Sequence, residues 1–181
     1  MQPRLSLCLL ALLLIPCFAE NPDRTTPPER PRGPVMRRPV FLPRAGMIFA
    51  ATILRVERVP VKRPNEIATI AITCRVDRAI RGVRAGRTVT LREWAGLWID
   101  GPRYAPGQRL MLLLYAPSRL GLTSPISGMN GRLVIDDRGR VHVSPPQGKY
   151  LEQAGLRSRP ATTIPLDEFV RDLRQAAGRE Q

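Results

Sequence analysis

The chain is poor in the residues from which catalytic and metal sites are usually built. Of its 181 residues three are cysteine, one is histidine and 5% are aromatic. Cys8 and Cys17 fall in an expected export signal, and the remaining His142 and Cys74 cannot complete a tetrahedral zinc site, which takes four Cys or His ligands when structural and usually three protein ligands when catalytic. No Gly-x-x-x-x-Gly-Lys-Ser/Thr or Gly-x-Gly-x-x-Gly cradle occurs, and no Gly-x-Ser-x-Gly elbow accompanies Ser124, Ser127 or Ser144. A phosphate-cradling loop and a hydrolase nucleophile elbow are therefore excluded, and no cofactor is expected. A long hydrophobic run is missing too. The stretch Leu5 to Ile15 spans eleven residues, too short to cross a bilayer core of roughly 30 Å as a helix. Lysine is nearly absent: only Lys62 and Lys149 stand among 29 Lys+Arg, against 15 Asp+Glu.

What is present begins with an export signal. Arg4 supplies a positive start, Leu5 to Ile15 an apolar stretch, and Cys17-Phe18-Ala19 a small-x-Ala cleavage site, so residues 1–19 read as a signal peptide. An exported, periplasmic or extracellular protein is expected. Lipid anchoring at Cys17 is disfavoured by Pro16, and no Arg pair precedes the apolar stretch. Cleavage after Ala19 would remove Cys8 and Cys17, leaving Cys74 alone and a structural disulfide impossible. In Ile70-Ala71-Ile72-Thr73-Cys74-Arg75-Val76, alternation sets Cys74 on the face of Ile70, Ile72 and Val76. It reads as an inert core thiol.

Residues 20–44 carry seven prolines and six arginines with few apolar side chains, the composition of a disordered or polyproline-like spacer. From residue 45 the pattern becomes short strands separated by turns, expected at Met47–Val56, Ile67–Val76, Thr88–Glu93, Arg109–Tyr115, Leu120–Ile126, Arg132–Ile135 and Val141–Val143. Arg109–Tyr115 is apolar at both alternating positions, as a doubly covered central strand is. Residues 147–163 read as an irregular connection. Leu166, Phe169, Val170, Leu173 and Ala177 recur at helical spacing, predicting a helix over 164–178 packed on the strands, with Asp167 and Glu168 as first-turn capping charges. The fold expected is mainly β, a small OB-like barrel of five to six strands over residues 45–146 with one C-terminal helix.

Three segments are candidate sites. Arg75, Arg78, Arg81, Arg84 and Arg87 recur at every third position, which in a polyproline-like stretch would form a ridge able to follow phosphates or sulfates. Gly82 and Gly86 offer the alternative of a turn with scattered, solvated arginines. Glu93 and Asp100 flank Trp94-Ala-Gly-Leu-Trp98, with Tyr104 beyond; two carboxylates beside tryptophans could suit a sugar cleft, and a loop held by buried tryptophan accounts for the same residues. The Gly- and Ser-rich loop Leu120–Gly131 is a candidate binding rim. His142 sits between Val141 and Val143, facing solvent, with no partner set for catalysis.

Gly46-Met-Ile-Phe-Ala-Ala-Thr-Ile, Arg75-Val-Asp-Arg-Ala-Ile-Arg-Gly82, Gly86-x-Thr-Val-Thr-Leu and Tyr104-x-Pro-Gly-Gln-Arg-Leu-Met-Leu-Leu-Leu together resemble the bacterial exported relatives of netrin-like and metalloproteinase-inhibitor-like modules, over about residues 45 to 136. The resemblance implies an OB-type five-stranded barrel. Inhibitors of that family present an amino-terminal cysteine to the protease zinc. Here the expected mature start is Glu20, so that mechanism does not carry over. The function expected is an exported, non-enzymatic binding or interaction module whose partner is an envelope protein or a polyanion. A polyanion binder is the first alternative, given +13 on the mature chain from 28 cations and 15 anions. A hydrolase acting through Glu93 or Asp100 is the second.

Overall fold

The computed structural model describes residues 42, 44–61, 63–64, 66–100, 103–153, 155–156 and 162–178. The expected signal peptide and nearly all of the expected spacer lie outside the described residues. Seven strands form one antiparallel sheet: β1 (Ala45–Val59), β2 (Thr69–Arg81), β3 (Thr88–Trp94), β4 (Arg109–Tyr115), β5 (Arg132–Ile135), β6 (Arg140–Val143) and β7 (Thr162–Pro165). Two helices accompany them, α1 (Pro145–Gln153) and α2 (Leu166–Gly178). The hydrogen-bonded order is β3-β2-β1-β4-β5-β6-β7. It does not return on itself, so the mainly β expectation stands while the sheet is open, with seven strands rather than five or six.

β1 is long because it serves two neighbours. Residues 45–52 pair with β4, and residues 48–59 pair with β2. Three register shifts interrupt the β1–β2 ladder, at Ile48/Phe49, Ala50/Ala51 and Ile53/Arg55; each bulge bends the strand and raises its twist. Gly82 ends β2 with φ +75°, and a Cβ there would collide with the Gly46 carbonyl. Glycine is required at that point for both conformation and space.

The twist lets the sheet bury opposite faces. One apolar cluster gathers Ile48 and Ala50 from β1, Met111 and Leu113 from β4, residues of β5–β7, and Phe169, Val170 and Leu173 from α2. The other gathers Phe49, Ala51 and Ile53 from β1, Ile70, Ile72, Cys74 and Val76 from β2, Leu91, and Leu110, Leu112 and Leu114 from β4. β4 is thus doubly covered as its sequence predicts, with Leu110 through Leu114 fully buried. Cys74 is fully buried on the predicted face, its thiol pushed up to about 12 by burial and then by the Asp77 charge.

Two expectations need correction. Residues 147–163 are not simply irregular, because α1 starts at Pro145, where a proline lacking N–H costs nothing, and β7 precedes α2. Leu120–Ile126 forms no strand; its contribution is one bridge, Pro125 to Leu114. The predicted helix is found as α2, with Asp167 and Glu168 in its first turn. Among the described residues no helix is long and apolar enough to cross a membrane.

Candidate binding surface at one end of the sheet

The register brings the end of β1, the start of β2 and the end of β3 together: Val59 pairs with Thr69, and Thr69 with Trp94. Alternation along β3 then sorts its side chains. Leu91 and Glu93 point inward and Arg92 and Trp94 outward.

Glu93 is only 1% exposed. Tyr104 donates its hydroxyl to Oε1 at 2.7 Å and the Trp98 indole Nε1 donates to Oε2 at 3.1 Å. The two rings lie 5.6 Å apart, tilted by 40°, and the Arg132 guanidinium sits 5.2 Å from the centre of the Tyr104 ring. Burial, and then the Glu93 charge, raise the Tyr104 hydroxyl well above the usual phenol range, keeping it a proton donor. Burial pulls the Arg132 guanidinium downward. A buried carboxylate is tolerated only when its lone pairs are met, and here those bonds fasten Trp98 and Tyr104 against the second cluster. Glu93, a catalytic group only in the hydrolase alternative, is an internal anchor, whereas Asp100 is exposed; neither is among the residues lining the cleft.

That cleft, about 400 Å³, is lined by Glu66, Ile67, Thr69, Arg92, Leu120 and Leu122. The segment around Leu120 reaches it because the Thr123 amide donates to the Arg92 carbonyl at 2.8 Å and the Ser118 amide to the Leu122 carbonyl at 2.8 Å. Gly121, with φ +71°, turns the chain and leaves Leu120 at the tip, 64% exposed. Arg92 donates through Nη2 to Thr69 Oγ1 at 3.1 Å, while its buried Nε has no acceptor among the described residues. Trp94, 52% exposed, covers Gly96 with its ring. Among the described residues no cluster of three His, Cys, Asp or Glu could hold a metal ion.

The arginine series does not form one ridge. Arg75 contacts Asp77 at 3.5 Å, Arg78 reaches Asp167 of α2 at 3.3 Å, and Arg81 donates to the carbonyls of Leu42 and Ala45 at 2.7 and 3.2 Å. Arg84 and Arg87 are exposed beyond β2. Strand geometry with bulges, not a three-fold polyproline repeat, governs their directions. His142 is half-exposed, its Nε2 2.9 Å from Asp136 Oδ2.

Trp98, Tyr104 and Glu93 are therefore brought together internally, and Trp94 faces outward nearby. No protein-family model, curated protein or solved structure matches the chain. The site rests on its own geometry. Sequence reasoning did not single out Ile67, Arg92 or Arg132. A signal existed only for Leu120, an apolar residue placed between Arg119 and Gly121 in a turn, where burial is not available.

Proposed function

We propose that this protein is an exported, non-enzymatic binding module whose contact surface is the end of the sheet formed by Trp94, the Leu120 turn and the cleft between them. The observation that carries the reading is the cleft itself, an apolar wall of Ile67, Leu120 and Leu122 beside the polar Arg92, Thr69 and Glu66. Few convergent polar groups beside apolar walls are what recognition sites offer. The anchored Glu93 supports binding over hydrolysis, since both its oxygens already accept hydrogen bonds. Three of the five spaced arginines contact acceptors within the fold, which weakens the support for a continuous polyanion track. Kinship with netrin-like modules of OB type belongs to the same proposal. It is supported by the close-packed Gly46 and Gly82 of the resembling segments.

The test is photo-crosslinking in intact native cells from a benzophenone side chain at Leu120, with Val134, also exposed, as the reference position. A discrete adduct from Leu120, reduced by Arg92→Glu, is expected. Equal labelling from both positions, or none from Leu120, would overturn the contact surface. Intact mass reads the export part, for which Glu20 is the expected amino terminus.

A further inference from the structure

We infer that this end of the sheet docks on an anionic lipid surface, its apolar tips entering the headgroup layer and its arginines meeting the phosphates. The inference rests on the contact surface proposed above and names what it contacts. Ten large apolar side chains are exposed among the described residues, and six of them, Val61, Ile67, Trp94, Leu97, Ile99 and Leu120, belong to segments gathered here. Ile99 is 86% exposed, an extreme for isoleucine. A concentration of this kind marks an interaction surface rather than the scatter found on any protein.

The arrangement favours a lipid surface over a protein partner. Protein interfaces have apolar centres packed to interior density on a continuous surface, whereas these residues stand on separate turns: the segment after β1, the 3-10 turn Ala95–Trp98 and its exit, and the Ser118–Gly121 turn. Separate protruding tips can enter between headgroups. Trp94 has the amphipathic ring enriched at membrane interfaces, and Trp98 and Tyr104, fastened to Glu93 beneath it, hold the Ala95–Trp98 turn in place. The same segments carry Arg58, Arg63, Arg92, Arg103 and Arg119 against Glu57, Glu66, Asp100 and the internally bound Glu93, an excess of cations at the positions that are not buried. With a formal charge of +14 over the whole chain, approach to an anionic surface is favoured before any contact forms.

The experiment uses the protein as its host processes it. Vesicles of equal parts phosphatidylcholine and phosphatidylglycerol are expected to co-sediment the protein, and vesicles of phosphatidylcholine alone are not. Binding should shift tryptophan emission to the blue, and Trp94→Phe should remove most of the shift, because Trp98 is partly buried and tied to Glu93. Ile99→Asp with Leu120→Asp, both at exposed positions that leave the core untouched, should weaken partitioning by roughly tenfold or more. Val134→Asp should leave it unchanged. Absence of vesicle binding, or binding indifferent to the double aspartate variant, would overturn the lipid inference. If vesicles fail while the Leu120 adduct to a protein persists, the partner is a protein and the contact surface stands; if both fail, the contact surface falls as well.

Discussion

The two halves of the sheet are closed by different means. Over β6 and β7 and across to the end of β2 the lid is a regular amphipathic helix, with Leu166, Phe169, Val170 and Leu173 of α2 turned inward and Arg174 donating to the Ala79 carbonyl of β2 at 3.0 Å. Beside β1–β3 the lid is made by residues 95–100 and 103–104, which contribute Ala95 and Tyr104 to the core and are fastened through one buried carboxylate. A helical lid satisfies its own backbone and needs only an apolar stripe. An irregular lid needs a polar anchor, and in return its turns are free to project apolar residues outward. The candidate surface lies on the second half for that reason.

The largest effects should separate the two closures. Phe169→Ala should lower stability by about 3–5 kcal/mol through an unfilled cavity under α2, and Glu93→Ala by about 3 kcal/mol by leaving Tyr104 and Trp98 donors buried without an acceptor. Denaturant titration reads both. Only Glu93→Ala should change Trp98 emission and raise amide exchange in 95–104; equal exchange in both variants would mean the lids are not independent.

Gly82→Ala should cost about 2 kcal/mol, combining left-handed backbone strain with the approach of Gly46. Because Gly46 and Gly82 join the start of β1 to the end of β2, an undiminished unfolding midpoint would contradict the tight packing of that corner.

The smallest effect near neutral pH concerns Cys74. Its folded thiol is raised to about 12 from 9.0, so the native state holds the proton more tightly than the unfolded chain. The stability this contributes is fully present below pH 9 and falls by up to about 1.4 kcal/mol per pH unit as pH rises toward 12. Cys74→Ala should flatten that part of the profile. Thiol labelling at pH 8 should be slow until denaturant is added, and fast labelling of the native protein would place Cys74 outside the core.

Strands that alternate cleanly or run wholly apolar were legible in the sequence: Arg109–Tyr115 and Arg132–Ile135 are found with those bounds. β1 runs past both of its expected ends, and β2 starts at Thr69, two residues later than expected, but runs on to Arg81, where bulges in the ladder break the two-residue period. α1 escaped notice behind Pro145 and Pro146, although Ser144 and Gln147 form a capping box, the Gln147 Oε1 accepting from the Ser144 amide at 2.9 Å. The role of Glu93 was not legible. A carboxylate five residues before one aromatic and eleven before another is an anchor or a catalytic group according to burial, which only the folded chain determines. The cleft was hidden likewise, since Ile67, Arg92 and Leu120 are distant in sequence and meet through the register of β2 with β3 and one loop contact.

That loop contact also bears on self-association. The Ala95 amide donates to Ala68 and the Val76 amide to Arg87, so odd-numbered residues of this edge face β2, and Thr88, Thr90, Arg92 and Trp94 turn their peptide groups outward. An exposed row of this kind is a template for another chain. The Thr123 amide takes the Arg92 carbonyl, interrupting the row with a loop contact, and on its far side the row offers Thr88 and Thr90 in place of apolar side chains. The edge beside the proposed contact surface is thereby shortened as a template.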